Sequence, residues 1–216
     1  MTPLSRVVIG SLLILAWPTA HAADGQKIFT QGGANPAAMA CLGCHGADGK
    51  GIAAAGFPRL AGLPAGYLSK QLRDWREGTR AQPVMSPLAK ALSEEEINAV
   101  SSYLASLPGE PAVDLRRQQI ADDPTTRMAL YGDWSRQIPG CVQCHGPGGS
   151  GVGEHFPPLA GQPRDYLIAQ LNAWRDGSRS NDPNQLMVGV AKAMTAEEVT
   201  AIAEFFARPA SQEVKP

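Results

Sequence analysis

Two short clusters hold the most chemically capable side chains of this 216-residue chain. Cys41-Leu42-Gly43-Cys44-His45 recurs 100 residues later as Cys141-Val142-Gln143-Cys144-His145. A Cys-x-x-Cys pair can be a redox dithiol, part of a zinc site, or the two thioether anchors of a covalent haem with the next histidine on the iron. The dithiol reading needs a βαβ setting and leaves the histidine without a task. A structural zinc usually takes two separate ligand pairs. A single Cys-x-x-Cys-His has its ligands too close together to enclose a tetrahedral ion, and the two sets lie far apart in sequence. Two intact copies therefore predict two covalently attached c-type haems. Cys41, Cys44, Cys141 and Cys144 would form the thioethers, and His45 and His145 would bind the irons.

The second axial ligand follows by elimination. The chain has four histidines, and His21 falls in a segment predicted to be removed. That leaves His155 as the one histidine outside the motifs, too few to complete two irons. No cysteine remains for a thiolate. Among the methionines, Met39 is tethered two residues before Cys41, Met128 matches the helical position of Ile28, and Met194 matches Leu92 and reads as core packing. Met85 and Met187 are the pair repeated in equivalent loop-like, proline-containing stretches. They are the predicted axial partners of His45 and His145. A thioether is a soft ligand that favours ferrous iron, and an iron with both axial positions filled has no open site for substrate. Such an arrangement describes an electron carrier.

These side chains must be positioned by two similar units. Pro58-Arg59-Leu60-Ala61-Gly62 recurs at an offset of 99 as Pro157-Pro158-Leu159-Ala160-Gly161. Tyr67-Leu68, Gln71-Leu72, Trp75-Arg76, Gly78 and Arg80 recur at that offset as Tyr166-Leu167, Gln170-Leu171, Trp174-Arg175, Gly177 and Arg179. After a three-residue insertion, Met85 and Ala89-Lys90-Ala91 match Met187 and Ala191-Lys192-Ala193. A period near 100 residues is too long for a solenoid and suits two tandem domains. The predicted division is 23–108 for the first, 109–124 for the linker and 125–216 for the second.

Each unit reads as helices joined by long loops. Pro64 and Pro163 suit a first helical turn, Tyr67, Leu68, Leu72 and Trp75 fall on one helical face, and Gly78 ends the helix. The last helix of each unit opens with a capping box, Ser93 with Glu96 and Thr195 with Glu198. Ile97, Val100, Leu104 and Leu107 make one apolar stripe; Val199, Ile202 and Phe206 make the other. Pro108 and Pro209 stop these helices. No stretch alternates polar and apolar residues, so the prediction is all-α with no sheet. Domains this small bury little surface for the entropy they lose, so a cofactor should fill each centre.

Composition excludes other classes. The chain has 19 basic and 20 acidic side chains, and no basic run points to nucleic acid. At 44% hydrophobic it is too apolar for disorder. Arg6, the apolar stretch from Val7 to Trp17 and Ala20-His21-Ala22 read as a cleavable signal peptide over 1–22, too short in its apolar part to span a bilayer. The mature product is expected outside the cytoplasm, in the periplasm for a bacterium. Loose association with the membrane surface stays open.

The order of Cys-x-x-Cys-His, Pro-x-Leu-x-Gly and a methionine before a terminal helix resembles a class I cytochrome c. Two such units behind a signal peptide resemble the dihaem cytochrome c4 family. That resemblance implies an all-α fold of two tandem class I cytochrome c-like domains, each wrapped around one haem and packed face to face. It also implies that Pro58 and Pro157 offer their carbonyls to His45 and His145. It implies a periplasmic carrier of single electrons between redox proteins, towards a terminal oxidase, with no small-molecule substrate. A second reading is the electron-accepting subunit of a periplasmic dehydrogenase, such as a flavocytochrome sulfide dehydrogenase. An enzyme in its own right would need an open iron or a distinctive ligand, and neither is found. Arg80 and Arg179 read equally as partners of the haem propionates or as solvated residues after a helix. Trp75 and Trp174 read as core, and His155 as a surface residue.

Overall fold

A computed structural model describes residues 23–114 and 123–208. The predicted signal peptide, the middle of the predicted linker and Pro209 lie outside the described residues. The first half runs α1 (Gly25–Gln31), α2 (Leu42–His45), α3 (Ala65–Glu77), α4 (Met85–Ala91) and α5 (Glu94–Ser106). The second half repeats it as α6 (Pro124–Tyr131), α7 (Cys141–His145), α8 (Arg164–Asp176), α9 (Leu186–Ala193) and α10 (Ala196–Ala207). No described helix is long and apolar enough to cross a membrane.

Local chemistry sets the helix ends. Asp24 accepts from the Lys27 N–H at 3.1 Å and caps α1, and Asp123 accepts from Thr125 and Thr126, both at 3.1 Å, and caps α6. Pro64 and Pro163 stand at the N-cap, one position earlier than the sequence suggests; their extended ψ of 135° and 134° keeps them outside the first turn. Gly78 and Gly177 close α3 and α8 in the left-handed region, φ 89° and 82°. Both capping boxes form, Ser93 with Glu96 and Thr195 with Glu198.

Each half folds around its terminal helix. Ile97, Val100 and Leu104 on α5 are buried, as are Val199, Ile202, Phe205 and Phe206 on α10. Helix α1 packs on α5, and α6 on α10. Helices α3 and α8 lie against α5 and α10 and carry α4 and α9 on their other contacts. Val113, assigned by the sequence to the linker, sits in the second core with its N–H bonded to the Gly148 carbonyl at 2.9 Å.

Two expectations are corrected. Met85 and Met187 do not lie in loops: they occupy the first turns of α4 and α9. These helices have 7 and 8 residues. Segments so short are marginal alone and form here against α3 and α8, so sequence periodicity did not show them. A small sheet also exists. Strands β1 (Gly132–Asp133) and β2 (Ile138–Pro139) pair antiparallel. Two residues per strand are too few for a polar–apolar alternation to register.

Candidate haem-binding sites

Each predicted quartet of residues meets at one cavity. Cys41, Cys44, His45 and Met85 line a cavity of about 410 Å³ in the first half. Cys141, Cys144, His145 and Met187 line one of about 560 Å³ in the second. Both volumes fall in the usual range for cofactor pockets. The walls are mostly apolar: Leu68, Trp75 and Leu104 in the first, Trp174, Ile202 and Phe206 in the second.

The proximal histidines are held by the backbone. His45 Nδ1 lies 2.9 Å from the Pro58 carbonyl, and His145 Nδ1 lies 2.8 Å from the Pro157 carbonyl. A carbonyl can only accept, so Nδ1 carries the proton and Nε2 keeps a free lone pair for a metal. Burial holds both imidazoles below the ordinary histidine pKa, with the carbonyl bonds opposing that shift in part. Both rings are thus kept neutral, the form that binds iron. Burial also pushes the Cys41 and Cys141 thiols up to about 11. Redox dithiols depend on depressed thiol pKa values, so this environment opposes the dithiol reading.

A haem combines an apolar ring with two charged propionates, and the cavities suit both parts. In the second, the buried Trp174 Nε1 has no hydrogen-bond partner among the described residues. An N–H donor left so at a cavity wall fits an acceptor on the bound group. Trp75 and Trp174 line the cavities, Trp174 also packing against the second core, and the guanidiniums of Arg80 and Arg179 stack on them at 4.2 and 3.9 Å.

Between the cavities lies a polar cluster that sequence reasoning missed. Arg80 and Arg179 are only 4% and 5% exposed, which eliminates the solvated reading. Arg80 donates to Gln71 at 3.0 Å in its own half, and to Gln170 at 2.5 Å and Tyr166 at 3.0 Å across the boundary. Arg179 donates to Gln170 at 3.0 Å and back across to Gln71 at 3.3 Å. Asn181 adds bonds to Gln71 at 2.9 Å and Asp74 at 2.5 Å. The backbones join here too: Ala81 donates to the Ser178 carbonyl and Ser180 to the Thr79 carbonyl, both at 2.9 Å. Tyr67, Tyr166, Gln170 and Arg179 line both cavities, so the two sites share a wall. The recurrence of Tyr67, Gln71 and Arg80 at one offset was the available signal, but a repeat does not reveal that its copies face each other.

Among the described residues, the other histidine and methionines lie at the cavity rims or in the second core; Met194 also lines the second cavity. Met39 is 63% exposed at the rim of the first cavity, and His155 is exposed at the rim of the second. Met128 packs against the second core and Met194 lies in it, as their matches to Ile28 and Leu92 suggest.

Comparison with known families decides the class of this molecule. The family described as "Cytochrome c" matches residues 22–108 and again 131–208. The chain belongs to the cytochrome c family. It is 57% identical over 204 residues to the thiosulfate dehydrogenase electron acceptor of Stutzerimonas stutzeri, covering 94% of each chain. Its fold matches a thiosulfate dehydrogenase of Marichromatium purpuratum in the as-isolated form, with TM-score 0.75 and 45% identity over 87% of this chain. The match spans 40% of that longer chain. It also matches reduced recombinant cytochrome c4 from Pseudomonas stutzeri, with TM-score 0.67 and 29% identity over 77% of this chain and 92% of that one. This cytochrome is therefore a dihaem member of the c4 group, all-α apart from its small sheet, with one covalently attached c-type haem in each tandem domain. It is an electron carrier.

Proposed function

We propose that this dihaem cytochrome accepts electrons from a thiosulfate-oxidising dehydrogenase and delivers them singly to a respiratory acceptor. The shared wall between the cavities carries this reading: two one-electron sites stand side by side in domains joined by backbone and side-chain hydrogen bonds. Joining two thiosulfate ions through sulfur releases two electrons, and a chain with two such sites can take one on each. The likeness to a thiosulfate dehydrogenase electron acceptor over 94% of both chains supports that donor.

In this reading Cys41, Cys44, Cys141 and Cys144 carry the thioethers. His45 with Met85 holds one iron, and His145 with Met187 the other. A bound haem supplies a one-electron Fe(III)/Fe(II) couple, raised in potential by the methionine sulfur. The protein orients the imidazoles through Pro58 and Pro157, excludes water with the apolar walls, and places Arg80 and Arg179 to meet propionates. With both axial positions filled, the chain itself is no enzyme. Residues 1–22 would direct it to the periplasm.

Mixing the oxidised holoprotein with a thiosulfate dehydrogenase and thiosulfate should reduce both haems rapidly, followed by their visible absorption. Failure of that reduction, with prompt reduction by other respiratory donors, would overturn the assignment of the donor. The likeness to cytochrome c4 supports a second reading, a free carrier that feeds a terminal oxidase. That reading gains if no stable complex forms and an oxidase turns over with this cytochrome as its donor.

A further inference from the structure

The two proximal histidines are alike, but the peptides that hold them are not. His45 donates to the Pro58 carbonyl, and the nitrogen of that same peptide belongs to Arg59. The Arg59 N–H donates to Gln162 Oε1 at 3.1 Å, and Gln162 Nε2 donates back to the Arg59 carbonyl at 2.9 Å. Both backbone partners fix the amide orientation, because an N–H can only donate and a carbonyl can only accept. Arg59 is 1% and Gln162 4% exposed, so water does not compete. The result is a continuous chain from the His45 ring, through one peptide of the first domain, to a side chain of the second.

The second site lacks this extension. His145 donates to Pro157, but the next residue is Pro158, whose nitrogen has no hydrogen. The position equivalent to Gln162 in the first half is Leu63, which offers no acceptor. Hydrogen bonds in series polarise one another at low dielectric. Donation from Arg59 N–H draws charge onto the Pro58 oxygen, which then pulls harder on the His45 proton and makes its Nε2 the stronger donor. A stronger donor stabilises ferric iron. The Arg59 side chain anchors the arrangement from the same domain boundary, donating to Ala61 at 2.5 Å and to Ala160 at 3.0 Å. Gly51 packs so closely that a Cβ there would stand 2.7 Å from the Pro58 carbonyl carbon.

We infer that Gln162 of the second domain is a positioning residue for the first haem, lowering that site's reduction potential through the Arg59–Pro58 peptide to His45. The two sites are thereby made unequal, and the inequality depends on the domains being docked. This inference rests on His45 as the iron ligand proposed above; haem stoichiometry and the methionine-to-iron absorption band of each variant check that ligand set separately.

The test is a redox titration of holoprotein variants. Gln162→Leu, which installs the residue of the other half, should raise one midpoint and leave the other in place. At a fixed ambient potential the reduced-to-oxidised ratio of that haem should increase on the order of threefold to tenfold. Gln162→Met, of similar length but without a strong acceptor, should behave likewise should the leucine variant fold poorly. Gln162→Glu loses the bond to the Arg59 carbonyl but keeps an acceptor for the Arg59 N–H, and should hold the midpoint at or below its original value. The inference is overturned if both midpoints stay fixed in the leucine and methionine variants while two haems and the methionine band are retained. It is equally overturned if both midpoints rise together, or if the glutamate variant rises with the others, since those patterns report loosened packing.

Discussion

Arg80 and Arg179 pair backbone to backbone across the two domains, and their guanidiniums share the side-chain oxygens of Gln71 and Gln170. Two buried cations held mostly by neutral groups are costly unless anions complete the site. The propionates of the two haems supply that charge in the proposed reading. With haems bound, the pair would do more than join the domains, because each cation would also act on the potential of the iron.

Arginine substitutions should separate the two sites. A nearby positive charge favours the ferrous state, which carries one positive charge fewer. Arg179 lines both cavities, whereas Arg80 lines the first. Arg179→Gln should therefore lower both midpoints, and Arg80→Gln should lower one clearly more than the other. Potentiometric titration read at the haem absorption checks both. Unchanged midpoints in both variants would place the arginines outside the electrostatic field of the irons.

The axial assignment predicts a spectroscopic result. Met85 and Met187 each stand in the first turn of a short helix at the cavity wall. Met85→His should remove half of the near-infrared band that methionine sulfur gives with ferric iron, and should lower one midpoint, because imidazole favours ferric iron more than thioether does. Met187→His should remove the other half. Retention of the full band in either variant would disprove that methionine as a ligand.

Glu198 joins helix chemistry to the frame of the second site. One oxygen closes the capping box on the Thr195 N–H at 2.9 Å, and the carboxylate takes a two-pronged bond from Arg136 at 2.6 and 3.0 Å. Arg136 also lines the second cavity and holds Asp133 of β1 at 2.7 Å. The Arg136 hydrogen bond keeps the Glu198 carboxyl below its usual value of 4.5. Since the folded value is the lower one, its stabilisation is complete above about pH 4.5 and is lost as pH falls through the folded value. Glu198→Gln should lower the unfolding temperature at neutral pH by the equivalent of about 1 kcal/mol, with the gap to wild type closing in acid. Thermal melts across pH measure this; a gap that persists unchanged into strong acid would assign the loss to packing.

Much of this molecule can be read from its sequence, for reasons that are local. Cys-x-x-Cys-His places three reactive groups within one turn of chain, so its chemistry does not depend on distant partners. Helices α3, α5, α8 and α10 show themselves because amphipathic spacing, Ser93 and Thr195 caps and the closing Gly78 and Gly177 lie within the segments they control. The elimination that singles out Met85 and Met187 needs only a count of ligand types and an alignment of the halves.

What the tertiary structure decided concerns groups brought together across about 100 residues of sequence. Arg80 and Arg179 stand after a helix in either reading; whether they are solvated or buried depends on the other domain covering them. Helices α4 and α9 are too short to declare themselves and form only against α3 and α8. Arg59 and Pro158 occupy equivalent places, and the sequence shows that one has an N–H and the other has none. Only the fold sets Gln162 opposite that N–H, 103 positions away in sequence, and so makes two similar sites unequal. Chain chemistry alone singles out the proposed ligands; the proposed difference between the two sites comes from which surface of one domain meets the other.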